Sequence, residues 1–201
     1  MNVLEKISET KLVPVVVFKS MDDVESTIEG LSKGGVKVAE VCYRTEFAAP
    51  AIELINKKYP DFLLGAGTII NAKQCKEAIS KGAKFIVSPG FSDEVLKVCK
   101  KANIPYLPGI VTPTEIMHAL DLGLDHLKFF PAGVFGGLKA LKALSAAFPQ
   151  VKFMPTGGVD NTNLADFVSA PFIFAIGGSW LLKGDIEANC KEALRIIKET
   201  K

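Results

Sequence analysis

Eight short apolar runs punctuate the 201-residue chain at an average interval of about 25 residues, and amphipathic segments fill the gaps between them. The runs lie at 13–18, 38–43, 63–68, 85–89, 106–110, 126–131, 152–157 and 173–178. Each is short, mostly β-branched or aromatic, and ends in Gly, Pro, Thr or a charge, which are strand signals. The intervening segments carry helix punctuation. Asp22-Asp23 precedes Val24, Ile28 and Leu31, and Gly34-Gly35 follows them. Asn71 opens 72–80 before Gly82, Ser92-Asp93-Glu94 opens 95–101, Thr112-Pro113-Thr114-Glu115 opens 116–122 before Gly123, and Asn161 opens 164–168. These are the start and stop residues that satisfy the free backbone groups of helix ends. Strand–helix alternation repeated eight times predicts an α/β fold with parallel strands. An open doubly wound sheet and a closed barrel both fit, and the count of eight favours a (β/α)8 TIM barrel. A single domain over 1–201 is expected, with a short N-terminal helix over about 1–10 and eight βα units over about 13–201.

Composition narrows the function. Lys plus Arg number 24 and Asp plus Glu 22, a net charge of +2, so no global attraction to nucleic acid or to an anionic membrane is expected. Any anion site must be local. Cysteines at 42, 75, 99 and 190 form no CxxC pair and match no zinc spacing, which predicts reduced thiols in a cytoplasmic protein. Glu5, Lys6, Glu9 and Lys11 leave no apolar signal core near the start. The longest charge-free stretch, 167–182, contains Pro171 and Gly177-Gly178, and its 16 residues fall short of a membrane span. With only His118 and His126, eight residues apart, a histidine-rich metal site is not expected. Gly65-Ala66-Gly67-Thr68 lacks the third glycine of a dinucleotide fingerprint, so no cofactor is predicted.

In a barrel of this kind chemistry sits at the C-terminal ends of the strands. Strand period 2 places Val38, Glu40, Cys42 and Arg44 on one face, so a carboxylate and a guanidinium are expected to point inward near the mouth. A purely structural ion pair is the second reading of those two residues. Lys128 stands inside His126-Leu127-Lys128-Phe129-Phe130-Pro131. A lysine in an aromatic strand is costly unless its charge is lost or matched. Desolvation lowers a lysine pKa and frees the amine as a nucleophile, the setting of a Schiff-base lysine. Snorkelling from the strand end is the alternative. Lys152, at the start of its strand, is expected to lie exposed at the opposite end. Thr156-Gly157-Gly158 and Gly177-Gly178-Ser179 close the last two strands, and glycine-rich loops beside helix N-termini there predict a phosphate or similar anion. Lys19, at the end of the first strand, is a further candidate phosphate contact.

These residues carry a resemblance. Val13-Pro14-Val15-Val16, Ala39-Glu40-Val41 with Arg44-Thr45-Glu46, Gly65-Ala66-Gly67-Thr68, Ser88-Pro89-Gly90, Pro108-Gly109, Lys128-Phe129-Phe130-Pro131-Ala132, Pro155-Thr156-Gly157-Gly158 and Gly177-Gly178-Ser179-Trp180 stand in the order of one family. From about residue 10 to 182 the chain resembles the 2-dehydro-3-deoxy-6-phosphogluconate (KDPG) and 4-hydroxy-2-oxoglutarate (KHG) aldolases. The resemblance implies a metal-free class I aldolase on a (β/α)8 barrel, a homotrimer of the Entner–Doudoroff pathway. It implies Lys128 as the Schiff-base lysine and Glu40 as general acid/base. It also implies Arg44 on the keto-acid carboxylate with Thr68 nearby, Pro89 and Phe130 at the pocket, and Thr156, Gly157, Gly158, Gly178 and Ser179 on the keto-acid or phosphate end. Gly133-Val134-Phe135 departs from the family, where Glu and a small residue commonly stand, and leaves the preferred sugar acid open. Two other functions keep the barrel but change the chemistry: a phosphosugar isomerase or epimerase without a covalent intermediate, and a non-catalytic sugar-phosphate sensor.

Overall fold

The structure, a computed structural model, describes residues 2–200; Met1 and Lys201 lie outside it. The strands are β1 (Leu12–Val16), β2 (Val38–Cys42), β3 (Leu63–Gly67), β4 (Phe85–Val87), β5 (Tyr106–Leu107), β6 (Gly109–Ile110), β7 (His126–Phe129), β8 (Lys152–Pro155) and β9 (Ile176–Gly178). The helices are α1 (Val3–Thr10), α2 (Asp23–Lys33), α3 (Ala48–Lys58), α4 (Ala72–Ser80), α5 (Asp93–Ala102), α6 (Pro113–Asp121), α7 (Gly137–Ala147), α8 (Leu164–Val168) and α9 (Ile186–Thr200), with a 3₁₀ turn at Trp180–Leu182. All strand pairs are parallel, so the α/β expectation holds. Six strands pair in the order β5-β4-β3-β2-β1-β9, and three more in the order β6-β7-β8. Isolated parallel bridges, Phe153 to Ile173 and Thr156 to Gly177, link β8 to the segment that ends in β9.

Most of the expected runs end a residue or two early as strands, one is divided, and the last loses half its length. The run 106–110 splits at Pro108 into β5, which pairs with β4, and β6, which pairs with β7. Proline has no N–H to donate and breaks a ladder at its own position. Its carbonyl still accepts from Lys128 N at 2.9 Å, so the chain stays beside β7. The run 173–178 keeps only Ile176–Gly178 as a regular strand, with Ile173 held by its single bridge.

Side-chain alternation builds two cores. Ala39 and Val41 pack outward with the helices in the larger cluster, beside Val24, Ile28 and Ile52. Val38 points the other way and joins Val13, Phe85, Leu107, Met154 and Ile7 of α1 in a smaller inner cluster. Period 2 along β2 therefore turns Glu40 inward above Val38. The inner cluster fills one end of that interior, and the polar residues occupy the other.

Caps fix where the helices begin. Asn71, Ser92 and Thr112 accept from the backbone N–H three residues on, as their positions in the sequence predict. At α6 the cap is reciprocal: Glu115 accepts from Val111 N and Thr112 N, both at 2.8 Å. Partial burial acts to raise the Glu115 carboxyl, but these backbone donors outweigh it and hold the group below its usual value. A lowered carboxyl stabilises the fold at neutral pH, and that contribution fades as pH falls through the carboxylate range. Thr112→Ala should cost about 1 kcal/mol in urea unfolding and leave the α/β fold intact.

Candidate active site

The strand ends opposite the inner cluster carry a buried ion pair. Lys128 Nζ on β7 lies 3.1 Å from Glu40 Oε1 and 3.5 Å from Oε2 on β2. Lys128 is 3% exposed and Glu40 is fully buried. The lysine charge is thus matched, which is how an apolar strand can carry it. The pair spans the interior from one sheet to the other. Gly67, on the strand next to Glu40, makes the space: a Cβ there would run into the Glu40 carboxylate. Cys42 Sγ lies 3.7 Å from Glu40 Oε1. Burial, and then the Glu40 charge, push that thiol up to about 12, so at neutral pH it is a donor to the carboxylate rather than a thiolate.

Above the pair lies a cleft of about 420 Å³. Phe130 connects the two: it lines the cleft, and Lys128 Nζ sits 5.2 Å from its ring centroid. One wall is Thr156-Gly157-Gly158-Val159-Asp160, the continuation of β8, and another is Gly178-Ser179-Trp180 with Lys183, the continuation of β9. Gly157 and Gly158 both have left-handed backbone, with φ of 85° and 86°, which favours glycine there. Thr156 Oγ1 is buried and has no hydrogen-bond partner among the described residues. Gly177 leaves it room, since a Cβ there would strike that oxygen.

Arg44 lines the opposite side of the cleft and donates from Nε to Thr68 Oγ1 at 3.1 Å. It is not on the strand face expected for it. β2 ends at Cys42, the chain turns with Arg44 N donating to Cys42 O at 2.8 Å, and the exposed guanidinium reaches the cleft from that turn. Thr68 holds a left-handed φ of 55° and is Arg44's partner rather than part of the cleft wall. Pro89, expected at the pocket, does not line this cleft; its carbonyl faces Gly109. Phe130, Thr156, Gly157, Gly158, Gly178 and Ser179 all line it. Lys19 is exposed and outside the lining, and Lys152 binds Pro171 O at 3.1 Å.

The helix ends expected behind the glycines are not there. α8 is five residues long and starts at Leu164, and Ser179 leads only into the three-residue 3₁₀ turn. Asp160 takes up the intervening chain: its Oδ1 accepts from Thr162 N at 2.9 Å and Thr162 Oγ1 at 2.6 Å. Asn163, not Asn161, precedes α8, and Asn161 instead accepts from Trp180 Nε1 at 2.9 Å. That bond ties the two walls of the cleft together.

Parallel strands with a polar cleft at their C-terminal ends, and a buried amine–carboxylate pair that meets the cleft lining through Phe130, suit an enzyme acting on a small molecule. The chain belongs to the KDPG and KHG aldolase family, which it matches over residues 3–197. It is 40% identical over 200 residues to a 2-dehydro-3-deoxy-phosphogluconate aldolase of Haemophilus influenzae, covering 98% of this chain and 94% of that one. It is 43% identical over 174 residues to a KHG/KDPG aldolase of Escherichia coli, covering 87% and 82%. Among solved structures, a KDPG aldolase of Legionella pneumophila with pyruvate captured as a covalent carbinolamine superposes with a TM-score of 0.89 at 36% identity, covering 100% of this chain and 98% of that one. The KDPG aldolase of Zymomonas mobilis with 3-phosphoglycerate gives 0.90 at 38% identity, covering 94% of each.

Sequence reasoning missed Lys183 and Asp160, the two charged residues at the β8 and β9 end of the cleft. Neither lies in a strand, and neither breaks an apolar pattern. The available signal was position alone: Asp160 two residues after Gly157-Gly158, Lys183 four after Ser179.

Proposed function

We propose that this chain is a class I aldolase that reversibly cleaves 2-dehydro-3-deoxy-6-phosphogluconate to pyruvate and glyceraldehyde 3-phosphate, with 4-hydroxy-2-oxoglutarate as a second substrate. One observation carries the chemistry: a buried lysine amine in contact with a buried carboxylate, packed against Phe130 of the cleft lining. Glu40 is the acceptor within reach of the proton that Lys128 must lose before its amine can attack.

The reaction then runs on this chain's own residues. Arg44, held by Thr68, binds the keto-acid carboxylate. Lys128 adds to the C2 carbonyl, and the carbinolamine loses water to give an iminium, with Glu40 moving the protons. The C4 hydroxyl gives its proton to Glu40 as the C3–C4 bond breaks. The bonding electrons pass to C3 and the iminium, leaving an enamine, and the aldehyde departs. Protonation at C3 and hydrolysis of the iminium release pyruvate and restore the amine. Thr156, Gly157, Gly158, Gly178 and Ser179 contact the keto-acid or phosphate end of the substrate.

We also read the two sheets as one closed (β/α)8 barrel in a single domain. The bridges from β8 to β9 support closure on one side, and the continuity of β5 and β6 through Pro108 supports it on the other. A homotrimer in the cytoplasm completes the proposal; four unbonded cysteines accord with a reducing compartment.

Proton exchange separates this mechanism from isomerisation. An iminium on Lys128 acidifies the methyl group of pyruvate, so the protein should exchange those protons for deuterium in D₂O, followed by NMR. It should also release pyruvate from the phosphorylated sugar acid. Isomerisation of a phosphosugar with neither pyruvate exchange nor pyruvate release would replace the aldolase reading with the isomerase.

A further inference from the structure

The ion pair with Lys128 does not by itself decide how the Glu40 carboxylate is turned. Lys128 Nζ reaches both oxygens, Oε1 at 3.1 Å and Oε2 at 3.5 Å. The last torsion of a glutamate is broad, and an ammonium has three rotatable donors that serve either oxygen. A second donor breaks the tie. Cys42 stands two residues beyond Glu40 on β2, so period 2 turns it to the same interior face. Its Sγ lies 3.7 Å from Oε1, and both side chains are fully buried. Oε1 is thus held by the amine and the thiol, while Oε2 keeps only the longer lysine contact among the described residues.

The thiol is also one link in a longer line. Cys42 pairs in register with Gly67 of β3, and Thr68 follows that glycine. Burial and the Glu40 charge raise the Cys42 thiol, and a hydrogen bond with the Thr68 side chain acts against them. The Thr68 hydroxyl in turn accepts from Arg44 Nε at 3.1 Å. A hydroxyl or thiol that accepts one bond still has its own hydrogen to give. The donors therefore run from Arg44 to Thr68, to Cys42 and to Glu40, starting at a cation and ending at an anion. Buried bonds in such a line polarise one another. We propose that Cys42 is a positioning residue for the proton transfers: its thiol pins Oε1 of Glu40, leaves Oε2 as the oxygen that takes and returns protons, and ties that carboxylate to Arg44 through Thr68. Cys42 does not line the cleft and bonds to no reacting atom.

This assignment rests on the aldolase reading, and its test keeps the two apart. The bond itself is read by infrared spectroscopy. S–H stretches fall in a window otherwise empty of protein bands, and a thiol that donates to a carboxylate absorbs lower than a free one. The parent should show one thiol band that is absent from Cys42→Ala and moves up in Glu40→Gln, with the bands of Cys75, Cys99 and Cys190 unmoved. The use of the bond is read by kinetics. In Cys42→Val, kcat for pyruvate release from the phosphorylated sugar acid should fall about fivefold, the scale of one weak hydrogen bond. KM should stay within about twofold, because substrate does not touch Cys42. Cys42→Ala, which cannot crowd the interior, should show the same split. Cys42→Ser keeps a donor and should bring kcat back to within about twofold of the parent. Equal kcat losses in the valine, alanine and serine variants, a loss confined to KM, no loss at all, or a thiol band that Glu40→Gln leaves in place would each overturn the assignment. A parent protein that releases no pyruvate from the sugar acid overturns the aldolase reading, and the assignment with it, even where the infrared band reports the bond.

Discussion

Lys128→Ala is expected to abolish turnover and, in the same step, to lose the ability to take up pyruvate covalently. Two separate physical effects are expected. The chemical one is absolute, because in the proposed mechanism the Lys128 amine is the atom that bonds to C2. The structural one arises because Glu40 is fully buried and its partner is 3% exposed. Removing one member of a buried pair leaves an uncompensated charge, at a cost of about 3–5 kcal/mol. That is a large share of a domain's total stability of roughly 5–15 kcal/mol. The loss of activity must therefore be separated from unfolding. Lys128→Met combined with Glu40→Gln removes both charges at similar volume. It should recover most of the stability in urea unfolding and remain inactive in pyruvate release. A folded double variant that still turns over substrate would show that the chemistry lies elsewhere.

Glu40→Gln tests the proton-transfer role without emptying the space beside Gly67. The amide keeps the shape and an oxygen for Lys128 Nζ, and it loses the capacity to take a proton. Turnover should fall by about 10²–10⁴-fold, the usual range for loss of a general acid/base. Adduct formation with pyruvate should be slowed but detectable, because the attacking amine is intact. Cys42 does not take over, since burial, the largest cause of its raised thiol, persists when the Glu40 charge is gone. Near-parental kcat/KM in Glu40→Gln would remove Glu40 from the mechanism.

The pair at the centre of these predictions was legible from sequence because it violates a pattern. Charges inside the apolar runs at Glu40 and Lys128 stand out against their neighbours, and period 2 fixes which way they face. Arg44 follows the same arithmetic on paper, yet the chain leaves the strand at Cys42, and a turn rather than the pleat delivers the guanidinium. Helix starts were readable where a side chain caps them, as at Asn71, Ser92 and Thr112. α3 and α7 have no such signature: Phe47 and Gly136 precede them without a side-chain cap, and their ends come from packing. Pro108 divided a strand that composition alone presents as continuous. Lys183 could not be picked from sequence, because an exposed lysine in a polar segment looks like many of the 24 basic residues in the chain.

The central claim is a covalent bond between the Lys128 amine and the keto carbon of pyruvate. Incubating the intact protein with pyruvate and sodium borohydride, then locating the modified peptide by mass spectrometry, tests it directly. The account predicts a single reduced pyruvyl adduct on Lys128, dependent on pyruvate and absent from Lys128→Ala. An adduct on another lysine, or none in a preparation that turns over the phosphorylated sugar acid, would contradict it.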